Sequence, residues 1–205
     1  MRIIRLPAPF QHLLTKVFFV TSFVLCSHGC LLGPIASEKT ARTLGKGNIG
    51  ISTGVNGALP NATIEYGVSD NIDLHLTGEY QFGTLLATGG KIAFVRNEQG
   101  LNVALSAGFF NSIQRVQTND EAFVNYSGGP YVSPIVSYKR ERIEPYLFLK
   151  TTLSINDSLG VLPVVLTGSG VNLWLNPRIG LNLNGKAVLY PVPDLIPSAN
   201  LLLRF

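Results

Sequence analysis

Asp73 and His75 stand two residues apart. A carboxylate and an imidazole near plentiful serines are the raw material of a hydrolytic triad. Such a site is defined by geometry, however, and not by the presence of the residues. On a strand, i and i+2 share one face, so Asp73 and His75 read equally as members of a structural hydrogen-bonded network. A metal centre is not expected, because one histidine without a cysteine partner falls short of the usual ligand set. Gly45, Gly47 and Gly50 satisfy a GxGxxG pattern. The phosphate-binding form needs a strand before it and a helix after it. Here an unpatterned stretch precedes and a strand pattern follows, so the glycines are expected to loosen that stretch and pack in the first strand. No cofactor is expected.

The elements that must position these residues are strands. From Lys46 onward the chain alternates with period two, over ten segments: 46–56, 61–68, 72–80, 86–95, 101–110, 129–139, 143–153, 164–175, 179–190 and 197–205. No segment carries a 3.6-residue apolar stripe or a capped amphipathic run. In the third, Ile72, Leu74, Leu76 and Tyr80 share one face, and Asp73, His75, Thr77 and Glu79 the other. In the fifth, Leu101, Val103, Leu105, Ala107 and Phe109 oppose Asn102, Ala104, Ser106 and Gly108. A slip of one residue would exchange the faces, so two environments of opposite polarity are specified.

Composition says which environments. Only 14% of the 205 residues are charged and 46% are hydrophobic, against about 25% charged in an average soluble domain. That excludes disorder, and the 2 cysteines exclude a disulfide scaffold. The polar face is built mostly of Gly, Ala, Ser, Thr and Asn. Its charges balance, with Glu65, Asp73, Glu79 and Glu144 against Lys91, Lys150, Lys186 and Arg204. Small, sparsely charged residues suit a confined lumen better than an open solvated surface. A closed barrel with its apolar face outward, to lipid, is therefore favoured over a soluble sandwich or lipocalin-like barrel.

Connections sharpen this. Those at 69–71, 96–100, 140–142 and 176–178 are short. Those at 57–60, 81–85, 111–128, 154–163 and 191–196 are mostly longer, as expected if they face opposite sides of a membrane. With ten strands both termini fall on the short-turn side; eight strands is the alternative. Loop 111–128, with Gln114, Arg115, Asp120, Glu121 and Tyr126, is the best candidate for contact with an external ligand; a merely solvated loop is the alternative. Tyr66, Phe94, Tyr138 and Phe205 fall near one set of strand ends, and Tyr80, Phe109 and Tyr190 near the other, as two aromatic girdles would. Some residues fit poorly. Tyr146, Phe148 and Trp174 point inward by parity, and Pro130, Pro134 and Pro145 are awkward in a sheet without edges. A bulge near one of the prolines would restore parity.

Residues 1–29 read as a secretory signal peptide. Arg2, Arg5 and Lys16 precede the ten-residue apolar run Val17–Cys26, and no acid occurs before Glu38. That run is too short for a spanning helix, which needs about 20 residues. Ser27-His28-Gly29-Cys30 resembles a bacterial lipobox, which implies cleavage before Cys30 and its lipidation; cleavage near Gly29 with a free thiol is the alternative. Residues 30–45 are then a periplasmic linker and 46–205 the barrel. Without residues 1–29, Lys+Arg falls from 16 to 13 against 12 acids, and the net charge from +4 to +1. No nucleic-acid partner is expected.

At the other end Ala199, Leu201, Leu203 and Phe205 alternate, with Phe last. This resembles the terminal strand of small bacterial outer-membrane β-barrel proteins. The resemblance is at the level of that superclass. It implies an all-β, closed antiparallel up-and-down transmembrane barrel in the outer membrane with periplasmic termini. It also implies that Leu201, Leu203 and Phe205 are read by the β-barrel assembly machinery, and that outer-membrane lipids surround the chain. The expected role is structural or surface-interacting, with a narrow or plugged lumen and no enzymatic chemistry. A small-solute pore and a lipid-modifying outer-membrane enzyme are the alternatives.

Overall fold

Residues alternating between apolar and small polar types form strands because successive side chains of an extended backbone point to opposite faces. A computed structural model describes Pro34 and residues 40–80, 83–117, 122–156, 160–190 and 193–205. Ten strands follow one another: β1 (Ile49–Asn56), β2 (Leu59–Gly67), β3 (Ile72–Tyr80), β4 (Gly83–Val95), β5 (Gly100–Gln117), β6 (Ala122–Lys139), β7 (Ile143–Asn156), β8 (Gly160–Trp174), β9 (Ile179–Tyr190) and β10 (Asp194–Arg204). Each pairs antiparallel with its sequence neighbours, and β1 pairs with β10, closing a barrel. All-antiparallel closure requires an even strand count. It also places both termini at one end, where Ile49 N–H donates to the Phe205 carbonyl at 3.0 Å and Phe205 N–H returns the bond at 2.9 Å. Ten strands, not eight, make the ring.

The two faces separate as the alternation specifies. Outward residues are large and apolar, among them Leu74, Leu76, Leu105, Leu147, Leu181, Leu183 and Leu201. Inward residues are buried. They comprise the polar series Ser52, Thr63, Asn102, Ser106, Ser133 and Asn182, and three apolar clusters. The largest cluster joins Ala93, Ala104, Ile135, Tyr146, Phe148 and Leu166 to Ala41 from the N-terminal segment. A second joins Leu85, Ala87, Phe110 and Tyr131. Tyr146, Phe148 and Trp174 do point inward, at 3%, 3% and 7% exposure. No bulge near the prolines reverses them. The register shifts lie elsewhere, at Ala93/Val95 and Val165/Leu166, and β7 alternates unbroken.

Two expectations are corrected. The long connections do not exist. β5 and β6 are each 18 residues and run through most of the segment 111–128 expected as a loop, with only 118–121 between them. The wide gaps at 154–163 and 81–85 shrink likewise to 157–159 and 81–82. Polar residues there suggested loops, but alternation persists: Ser112 and Gln114 face inward, Ile113 and Tyr126 outward. Phe109 consequently lies mid-strand, not at a strand end. Asp120 and Glu121 fall outside the described residues.

The second correction concerns residues 40–45, expected as the end of a linker. They enter the barrel mouth at the end shared by the termini. Thr40, Ala41 and Thr43 are at most 5% exposed. Gly45 and Gly47, both at positive φ, build a tight turn before β1, as glycine allows. That turn docks on β2, with Gly47 N–H donating to the Gly67 carbonyl at 2.7 Å. A Cβ at Gly67 would collide with the Gly45 carbonyl. Residues 1–33 and 35–39, which include the expected signal peptide 1–29 and Cys30, lie outside the described residues.

Closure and register can be tested together. Ile51 lies opposite Leu203, and directly opposed residues have Cβ atoms about 4.5–5.5 Å apart, close to disulfide geometry. In a Cys26→Ala, Cys30→Ala background, Ile51→Cys with Leu203→Cys should cross-link on oxidation, and Ile51→Cys with Leu202→Cys should not. The readout is migration on a denaturing gel; equal yields would refute the register.

Candidate functional site: the barrel lumen and its mouth

Strand parity sets every inward side chain. The sequence-derived set Glu65, Asp73, His75, Glu79, Lys91, Glu144, Lys150, Lys186 and Arg204 lies on the inward face throughout. Asp73 meets its register neighbour Lys91, Oδ2 to Nζ at 3.2 Å. Lys186 donates to Asn56 Oδ1 at 2.6 Å, which also accepts from Ser198 Oγ at 2.9 Å. Lys150 lies over the Tyr131 ring, 5.2 Å from its centroid. Arg204 stacks over Trp174 at 4.0 Å, with Lys139 5.7 Å from the same ring. The guanidinium's attraction to an aromatic face explains how an inward tryptophan is accommodated.

His75 is partnered by Tyr131, Nε2 to the phenol oxygen at 2.6 Å, and not by Asp73. Asp73 instead accepts the Leu44 backbone N–H on both carboxylate oxygens, at 3.1 and 3.0 Å. The two residues that suggest a triad are thus divided between different partners. The Tyr131 phenol reaches the β3 wall because Gly89 and Gly108 oppose each other beneath it. A Cβ on Gly89 would meet the Tyr131 hydroxyl, the Ala107 carbonyl and His75 Nε2.

The N-terminal segment completes the mouth. Thr40 Oγ1 donates to Glu144 Oε1, which also accepts from Ser137 Oγ at 3.2 Å. Ala41 N–H donates to Ser137 Oγ at 3.3 Å, and Thr43 Oγ1 to the Asp70 carbonyl. Beside it runs an asparagine ladder across β8, β9 and β10. Asn182 Nδ2 donates to Asn172 Oδ1 at 2.6 Å and to the Tyr146 phenol at 2.8 Å, while Asn200 Nδ2 donates to Asn182 Oδ1 at 3.3 Å. Sequence reasoning missed Lys139, the Thr40–Leu44 segment and this ladder. Lys139 is inward by the parity of β6. The ladder follows from register alone, Asn172 opposite Asn182 and Asn182 opposite Asn200.

Among the described residues, no group of three or more His, Cys, Asp or Glu side chains could hold a metal. Leu201 and Phe205 project outward at 39% and 66% exposure, and Leu203 shares their face.

No protein-family model matches the chain, and no curated protein matches it. Three solved structures are similar in outline. The N-terminal β-barrel domain of Pseudomonas aeruginosa OprF is 14% identical, covering 78% of this chain and 99% of its own, with a TM-score of 0.45. A de novo designed transmembrane β-barrel is 15% identical over 78% of this chain and 97% of its own, at 0.36. OmpT of Vibrio cholerae, an outer membrane protein lacking its loop L8, is 9% identical with the same coverages, at 0.33.

The tyrosine–glycine arrangement generates a prediction. Gly89→Ala should destabilise the barrel by about 1–3 kcal/mol, the usual range for overpacking. Tyr131→Phe, which removes the phenol's bonds to His75 and to the Thr88 carbonyl and no volume, should cost about 0.5–1.5 kcal/mol for each. Urea unfolding in detergent checks both. Equal, negligible effects would mean that the ring does not occupy this position.

Proposed function

We propose that this chain is an integral β-barrel of a bacterial outer membrane, with a structural or surface-interaction role, a closed lumen and no enzymatic chemistry. One observation carries the reading: the barrel is apolar outside and polar inside. In lipid a backbone must satisfy its polar groups internally, and a closed barrel does so without an edge. The outward residues, Phe94 at 67% and Leu147 at 61% exposure among them, would face hydrocarbon. Tyr66, Phe94, Tyr138 and Phe205 would form a girdle at the end carrying the termini, which is assigned to the periplasm. Lipidation of Cys30 would add an anchor there. Leu201, Leu203 and Phe205 would be read by the assembly machinery, and the chain would be insulated by outer-membrane lipids.

Closure of the lumen is supported by its inward aromatics and by Thr40–Leu44 in the mouth. The surface role attaches to the β5–β6 hairpin at the opposite end. There, among the described residues, Arg115–Gln117 pair only with Ala122–Val124, beyond the last partners that β4 and β7 supply at Gln114 and Ser127. That projecting ribbon replaces the loop as the place for an external ligand.

Fractionation tests the location: the protein should require detergent for extraction and migrate differently with and without heating. Recovery in an aqueous periplasmic extract would overturn the reading. Leu76→Arg, on the outward face at mid-strand, should cost about 2–4 kcal/mol in a bilayer. Planar-bilayer recording of the full chain should give no large, stable conductance. A steady open channel would favour a small-solute pore instead. His75→Ala should leave the phospholipid and lipid A profiles unchanged, and a changed profile would favour a lipid-modifying enzyme. A mass shift lost in Cys30→Ala is the signature of lipidation.

A further inference from the structure

Among the described residues the β4–β5 and β8–β9 ladders each carry one register shift, and the β6–β7 ladder is interrupted repeatedly. Between β6 and β7 the pairing runs Ser127↔Asn156 and Gly128↔Ile155, resumes at Tyr131↔Thr152 and Val132↔Thr151, and resumes again at Ile135↔Phe148. The same strands pair without gaps on their other sides, β6 with β5 and β7 with β8. The two gaps fall at Pro130 and Pro134. The ladder ends before Tyr138 could meet Pro145. Proline has no N–H to give, and all three place that missing donor on this one interface. A single proline would be an irregularity. Three on one seam, at every fourth position, strip it of bonds that the two flanking interfaces keep.

Ser133 and Lys150 belong to one of these gaps, facing one another across it on the inward side by continuation of the register. The row continues around the wall: Ser133 lies opposite Ser106, Ser106 opposite Lys91, and Lys91 opposite Asp73. Ser106 and Ser133 are both 0% exposed, and neither hydroxyl has a hydrogen-bond partner among the described residues. Burying a hydroxyl without a partner is unfavourable. Two such donors side by side, flanked by two lysines, are complementary to an oxyanion.

Outside, the inner end of the seam opens on a groove of about 690 Å³. Val136, Leu147, Val171 and Leu183 line it, and Ser169 and Gly185 provide small residues along it. The geometry points to one use for these three features. The β6–β7 seam is a lateral portal through which a single-chain anionic amphiphile places its carboxylate or phosphate head on Ser106 and Ser133, between Lys91 and Lys150, and leaves its acyl chain in the outer groove. The site rests on the membrane reading, which fractionation tests separately.

The test uses the full-length folded protein, immobilised in a neutral detergent, with tritiated oleate as probe. Wild type should retain oleate at about one per chain. Ser106→Ala with Ser133→Ala should weaken retention about tenfold or more, as loss of hydrogen bonds to a charged group does. Ser133→Thr, which keeps the hydroxyl, should retain most of it. Should the double variant not fold, judged by heat-dependent migration, Lys150→Met supplies the same comparison. A disulfide between Val132→Cys and Thr151→Cys, register partners across the seam, should block uptake until it is reduced. The control disulfide between Ile92→Cys and Leu105→Cys, register partners on β4–β5 away from the groove, should not. Unchanged retention in the serine variants, or uptake through the locked seam, would overturn the proposal. Inorganic phosphate distinguishes the source. Strong competition by phosphate that persists with the seam locked would mean that the anion arrives from water along the lumen, and would overturn the lateral route.

Discussion

Closure of a single antiparallel sheet on itself is the constraint from which the rest of this molecule follows. The bonds between Ile49 and Phe205 and the β1–β10 register convert ten hairpin-linked strands into a ring without an edge. With no edge left, every strand has the same two choices, inward or outward, and period two enforces them along its whole length. The sparse charge, the small inward residues and the large outward ones are three expressions of that one condition.

The interior is then a problem of filling a tube from its walls. The wall supplies Phe110, Tyr131, Tyr146, Phe148 and Trp174, and glycines opposite some of them supply room. Gly89 and Gly108 accommodate Tyr131, and a Cβ at Gly168 would collide with the Phe148 ring. Aromatics and amides hold some of the charges, as with Arg204 on Trp174 and Lys186 on Asn56. In a confined space an aromatic face is one way to hold a cation.

Much of this was legible in the sequence, and the reasons for what was not are physical. The ten strands and the inward set from Glu65 to Arg204 follow from parity, a local property. The β3 and β9 bounds, Ile72–Tyr80 and Ile179–Tyr190, fall where alternation meets a turn. Strand ends were missed where polar residues alternate on a ladder that continues, as at Ser112 and Gln114. The partners within the lumen were missed because they depend on register between strands distant in sequence. Asp73 and His75 share a face but not a partner, and nothing local to residues 73–75 tells that Leu44 takes one and Tyr131 the other. Thr40–Leu44 has no alternation of its own. Its place is dictated by the mouth that receives it. The prolines were read one at a time, as local faults; their alignment on a single interface emerges only from the pairing.

The position of Thr40–Leu44 has a consequence for the order of events in folding. Its anchors are Asp73 on β3, Ser137 on β6 and Glu144 on β7, so its binding site is assembled from residues up to about a hundred positions downstream. The β1–β10 pairing is more distant still. Contacts of high sequence separation carry the largest loop-closure cost and form late. The local hairpins therefore come first, the strap finds its seat only once β3 through β7 have come together, and the final join of β1 to β10 encloses a mouth that Thr40–Leu44 already occupies.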